Sequence, residues 1–124
     1  MFYEICIYEA KIDKQDEIEA LMKDCAEFYL QQEGVRDVRY FKRTHRQEDF
    51  NAVKEGALPV KLTRYVEKVT YVLFFEADDE AAHARLYKSA LEKFYKRWTR
   101  CLTTIPKIIL GTNINDLPAP GRSA

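Results

Sequence analysis

Two short runs constrain this chain more than anything else in it: Phe-Tyr-Glu-Ile-Cys-Ile-Tyr-Glu at residues 2–9 and Val-Thr-Tyr-Val-Leu-Phe-Phe-Glu at residues 69–76. Both are rich in β-branched and aromatic residues. Apolar side chains fill alternate and intervening positions alike, so each run reads as a strand with both faces buried. With 124 residues the chain makes one domain, too small to cover both faces of a sheet with its own helices. One face takes those helices, and the other calls for a second copy of the chain or a bound ligand.

Around these strands the pattern alternates. Asp13 is placed to cap a first helix, and Asp16 and Glu17 in its first turn suit the positive end of the helix dipole. Ile18, Leu21, Met22, Cys25, Phe28 and Tyr29 then recur at spacings of three and four, one apolar stripe that Gly34 ends. Residues 35–43 read as a more polar strand near a sheet edge, with Val38 and Tyr40 on one face and Arg39 and Phe41 on the other. Residues 45–66 are irregular, with room for one or two helical turns; a connection of this length covers something or touches a partner. A strand over 68–77 follows, and Asp78 is placed to cap a second helix. Its stripe runs through His83, Leu86, Tyr87, Ala90, Leu91, Phe94, Trp98, Cys101 and Leu102. Pro106 breaks the helix, and residues 107–113 read as a last strand.

The order β-α-β-β-α-β is the split βαβ arrangement of a ferredoxin-like fold. The expected architecture is α+β, with a four-stranded antiparallel sheet, both helices on one face, and two such sheets packed face to face in a homodimer. Residues 1–114 form the domain and 115–124 a tail with no core-forming pattern.

Composition removes several classes of function. The 20 basic and 20 acidic side chains cancel, so no global field draws the chain to nucleic acid or an anionic membrane. No run is long and apolar enough to cross a bilayer and no leader pattern opens the chain, which leaves the cytoplasm as the expected compartment. Cys6, Cys25 and Cys101 are an odd set without a Cys-x-x-Cys pair, fitting neither a disulfide framework nor a zinc site. No phosphate-binding glycine loop, His-x-x-x-His pair or serine elbow is present, so no metal and no cofactor are expected.

The opening Phe2-Tyr3-Glu4-Ile5-Cys6-Ile7-Tyr8, the lysine-flanked turn at 11–14, the helix behind it and the helix after residues 74–78 resemble the dimeric α+β barrel superfamily. The likeness is to its antibiotic-biosynthesis-monooxygenase-like and NIPSNAP-like domains and covers roughly residues 1–114. It implies a homodimer with a pocket in each subunit between sheet and helices. Some members use that pocket for cofactor-independent oxygenation of aromatic, polyketide-like compounds, some bind and degrade haem, and many have no demonstrated activity. The haem-degrading members carry an asparagine on the first strand, where this chain offers Glu4, Cys6 and Tyr8, so the resemblance does not extend to that reaction.

Within this frame His83 and Tyr71 are the candidate catalytic residues, as proton carriers for a hydroxylated aromatic substrate. His83 also has a purely structural reading, in which it donates to a backbone carbonyl and fills space. Glu4, Tyr8, Arg39, Tyr87 and Trp98 are the candidate ligand-binding residues. Trp98 suits a flat ring, although a single tryptophan on a helix stripe is commonly core. Glu4 has three readings: paired with Arg39 from a neighbouring strand, holding a polar ligand group, or solvated at a barrel rim. Tyr3, Tyr8, Tyr40, Tyr65, Tyr71 and Tyr87 together would line a pocket for a planar hydrophobic molecule. Two functions follow, a cofactor-independent monooxygenase acting on an aromatic compound and a non-catalytic dimeric ligand-binding module. A closed pocket with a convergent acid or base favours the first, and an interior filled by side chains the second.

Overall fold

The computed structural model describes residues 1–47 and 49–115. Eight elements follow one another, and seven carry labels: β1 (Phe2–Lys11), α1 (Gln15–Leu30), β2 (Val35–Lys42), α2 (Phe50–Lys54), β3 (Lys68–Ala77), α3 (Glu80–Cys101) and β4 (Lys107–Gly111), with a 3-10 turn at Ile12–Lys14 before α1. The strands form one antiparallel sheet in the order β2-β3-β1-β4. This is the expected ferredoxin-like α+β arrangement. The tail assigned to 115–124 lies, from residue 116 onward, outside the described residues.

The doubly apolar strands β1 and β3 occupy the centre of the sheet. They run side by side in register from Phe2 opposite Ala77 to Lys11 opposite Lys68. Their helix-side positions are buried: Glu4, Cys6, Tyr8 and Ala10 on β1, and Val69, Tyr71, Leu73, Phe75 and Ala77 on β3. Against them pack Ile18, Leu21, Met22, Cys25 and Tyr29 of α1 and Ala82, Leu86, Ala90, Phe94 and Cys101 of α3. On the opposite face Ile5 sits in register with Phe74 and with Ile109, and Val72 with Ile7 and Phe41. Ile5, Phe41 and Ile109 remain exposed there, so the second apolar face is bare in the single chain.

Three local expectations are corrected. Asp13 does not cap α1; it lies within the 3-10 turn, and Lys14 stands at the N-cap without a side-chain capping bond. Asp78 does not cap α3 either, because its carboxylate is drawn to Arg36 of β2. Asp79 takes the cap, its Oδ1 accepting from the Ala82 N–H at 2.8 Å. Arg39 does not neighbour Glu4: β2 pairs with β3 alone, which places a whole strand between them. Arg39 is exposed on the open face and its Nε donates to Asp37 Oδ2 on its own strand at 2.9 Å.

Gly34 turns the chain from α1 into β2 with φ of +84°, a region other L-residues avoid. A Cβ there would lie 2.7 Å from Ala82 Cβ, so the same glycine also lets α3 start close against the turn.

Candidate functional site

Glu4 is the one charged side chain in the buried set, 1% exposed. It stands on the helix side of β1 because residues 4, 6, 8 and 10 share that face, and α3 crosses above it. His83 and Tyr87 are one helical turn apart on α3 and so present side chains to the same place. His83 Nε2 lies 2.6 Å from Glu4 Oε1, and the Tyr87 hydroxyl donates to Glu4 Oε2. Phe2 and Phe75 set their rings edge-on to the imidazole at 5.3 and 5.7 Å. Burial, and then the neighbouring Glu4 charge, push the Tyr87 phenol well above the ordinary tyrosine range, so it stays a proton donor.

Glu4 and Tyr87 form part of the wall of a cavity of about 490 Å³ between α3 and the sheet. Cys6, Tyr8, Tyr29, Phe75, Tyr95 and Trp98 line its length, and residues 103–106 with Ile108 border it where the chain passes from α3 into β4. Trp98 is stacked on Tyr8, ring centroids 4.6 Å apart and planes 10° from parallel. From Glu4 to Tyr8 is four residues of β1, about 13 Å at ~3.3 Å per residue. Glu4 therefore borders the cavity at one point along the strand, its carboxylate closed off by His83 and Tyr87, and a stacked aromatic pair borders it at another.

The structure brings together Glu4, Tyr8, Tyr87 and Trp98 as walls of one cavity, with His83 behind Glu4. The structural reading of His83 gave it a backbone carbonyl; its partner is instead the Glu4 carboxylate. Tyr71 is on the same sheet face as Tyr8 but turns elsewhere. Its hydroxyl donates to Glu19 Oε2 at 2.7 Å, Lys42 Nζ donates to the same oxygen at 2.9 Å, and this group borders a separate cavity of about 280 Å³ between α1 and β2. Burial raises the Glu19 carboxyl and the bonds from Lys42 and Tyr71 lower it, the lowering winning overall. Of the tyrosine set, Tyr40 joins Tyr71 at the second cavity, while Tyr3 bonds Glu76 and Tyr65 bonds the Arg43 carbonyl. Tyr29 and Tyr95 are cavity residues that the sequence reading left out. The spacing Tyr87, Leu91, Tyr95, Trp98 is a helical row that would have found Tyr95.

Cys6 also borders the cavity, where burial pushes its thiol up to about 12; the same cause pushes Cys25 up to about 11 and raises Cys101. All three are buried free thiols, and the thiolate is the reactive form. Ellman's reagent at pH 8 is therefore expected to titrate none of them in the folded protein and all three in guanidinium. Rapid reaction of one thiol in buffer alone would contradict this placement. Among the described residues no group of His, Cys, Asp and Glu is gathered as a metal site, and no helix is long and apolar enough to cross a membrane.

These features define a class: a ferredoxin-like α+β domain with an apolar cavity between sheet and helices and a bare second sheet face. No protein-family model and no curated protein matches the chain. Solved structures do share the fold. Rv0793 of Mycobacterium tuberculosis superposes with a TM-score of 0.68 at 12% identity, over 94% of this chain and 98% of that one. An antibiotic biosynthesis monooxygenase gives 0.66 at 13% identity, over 93% and 100%. SnoaB, a cofactor-independent oxygenase from Streptomyces nogalater, gives 0.60 at 16% identity, over 95% and 96%. The chain thus has the fold of the antibiotic-biosynthesis-monooxygenase-like α+β barrel proteins.

Proposed function

We propose that the protein is a cofactor-independent monooxygenase acting on a planar aromatic or polyketide-like compound bound in the cavity beside Glu4. The observation that carries this reading is a buried carboxylate, held by two donors, in the wall of an otherwise largely apolar cavity of about 490 Å³, a size suited to a small organic ligand. SnoaB, which shares the fold, is described as a cofactor-independent oxygenase. An electron-rich phenol becomes more reactive toward oxygen once it gives up its proton, and in this reading Glu4, the acidic residue of the lining, is the group that accepts it. His83 acts through Glu4, orienting the carboxylate from behind. Tyr71, committed to Glu19 at a different cavity, has no part in this step.

Oxygen uptake with a panel of aromatic quinols, alongside quenching of Trp98 fluorescence, tests the reading. Uptake is expected with at least one quinol, falling about 100-fold or more in Glu4→Gln and measurably in His83→Ala. Uptake that survives His83→Ala unchanged removes His83 from the mechanism. The second reading is a non-catalytic ligand-binding module, favoured by the two donors already engaged with Glu4, which equip it to anchor a ligand without turnover. Quenching without oxygen uptake would select it.

The bare sheet face supports a homodimer in which two sheets meet through Ile5, Phe74 and Ile109. Light scattering on a sizing column is expected to give twice the 14.6 kDa chain mass, and Phe74→Glu to give the monomer. A monomeric wild type at micromolar concentration rules the arrangement out. Reduced, buried thiols suit the cytoplasm as the working compartment.

A further inference from the structure

We propose that a second copy of the chain covers the open sheet face in one orientation, about a two-fold axis lying across the strands, so that Arg43 of each copy meets Asp37 and Glu76 of the other. The inference rests on the homodimer reading and adds its orientation and the charges that select it. The open face is a set of rows running across the sheet. Asp37 lies in register with Glu76, and Glu76 with Tyr3, at one end. Arg39, Phe74, Ile5 and Ile109 form the next row, then Phe41, Val72, Ile7 and Lys107. Arg43 extends the β2 ladder into a fourth, its N–H bonded to the Thr70 carbonyl at 2.9 Å, and Thr70 stands opposite Glu9.

The two end rows differ in charge. Asp37 and Glu76 are carboxylates side by side, an unfavourable pairing within one sheet. Arg39 bonds the first, whereas the second has the Tyr3 hydroxyl and, among the described residues, no ion pair. At the other end Arg43 is exposed, gives its Nε to the His45 carbonyl and has no ion pair among the described residues. Lys68 and Lys107 share this face by strand alternation, and Glu9 pairs with Lys68 at 3.8 Å.

Two identical sheets can face each other about a two-fold axis along their strands or across them. The axis along the strands sets β2 on the partner's β4 and keeps each row at its own level. Asp37 and Glu76 then face the partner's Gly111 and Tyr3, Arg39 is buried on the partner's Ile109, and Lys68 meets the partner's Lys11. The axis across the strands sets β2 on the partner's β2 and reverses the rows. Arg43 then lies over the partner's Asp37 with Glu76 beside it, Phe74 and Ile5 pack on the partner's Val72 and Ile7, and Arg39 meets the ring of the partner's Phe41. The apolar rows stay in the middle in both cases, so the charged rows choose between them, opposite charges fixing the register of an interface.

Light scattering as a function of protein concentration, in about 0.05 M and about 0.5 M salt, tests this. The wild-type dimer is expected to weaken as salt rises. Arg43→Glu, and separately Asp37→Lys combined with Glu76→Lys, are each expected to raise the dimer Kd about tenfold or more while leaving the circular dichroism of the fold unchanged. Mixed one to one, the two variants are expected to pair with a Kd within about threefold of wild type, since every contact then joins opposite charges. Dimers indifferent to the reversals, or a mixture no tighter than its components, overturn the orientation and leave the homodimer standing. Should a variant fail to fold, the wild type decides: a Kd unchanged across the salt range overturns the orientation. A monomeric wild type overturns the homodimer and the orientation together.

Discussion

Glu4→Ala is expected to lower the stability of the protein by about 2–6 kcal/mol, read from urea denaturation. The number follows from what is left behind: the His83 N–H and the Tyr87 O–H, both half-buried, lose their acceptor, and each orphaned donor costs about 1–3 kcal/mol. Tyr87 cannot escape by giving up its proton, since burial already holds its phenol well above the ordinary range. Glu4→Gln keeps a carbonyl for one donor and is expected to cost less than the alanine. The sharper control is the triple variant Glu4→Leu, His83→Leu, Tyr87→Phe. Apolar replacement of a whole buried polar group is often nearly neutral, so the triple variant is expected to be more stable than Glu4→Ala. If it is the less stable of the two, orphaned donors are not the source of the loss.

Phe75→Ala is expected to cost about 3–5 kcal/mol by the same measurement. Phe75 is 1% exposed, lies opposite Glu4 on β1 and Val38 on β2, and meets Tyr29 and His83 edge-on at 6.3 and 5.7 Å. The upper part of the range applies where the surroundings cannot collapse into the space. Here one side is already the cavity and the other is the central sheet, so the hole persists and the cavity grows. A loss below about 1 kcal/mol would mean that this row of the core repacks freely. The same variant shifts preference toward ligands larger by a ring, a change readable in the quinol panel without reference to stability.

Much of the fold was legible because its signals are local. The nearly unbroken run of β-branched, aromatic and apolar residues within 68–77 marked β3 to the residue, and three-four spacings marked both helical stripes. The caps were less legible. Asp13 and Asp78 each have a suitable side chain at a suitable place, but a 3-10 turn intervenes at one, and Arg36, distant in sequence, claims the other. The site was legible as a set of residue types and not as an arrangement. Glu4, Tyr8, Tyr87 and Trp98 share one cavity, whereas Tyr71, one strand over from Tyr8 and on the same face, turns to Glu19 on α1. Side-chain direction within one face depends on which helix packs above it, and periodicity carries no information on that.

By itself the sequence determined that β1 and β3 are apolar on both faces, that one face takes two amphipathic helices, and that a glutamate interrupts the first strand. Burial of apolar surface is a property of pattern and length, so these followed without coordinates. Only the tertiary structure decided what that glutamate is bonded to. The strand order puts β3 between β2 and Glu4 and so removes Arg39 as its partner, and the crossing of α3 delivers His83 and Tyr87 in its place. A buried charge is compatible with a fold only through contacts made across long stretches of chain, and those contacts exist only once strand order and helix packing are set.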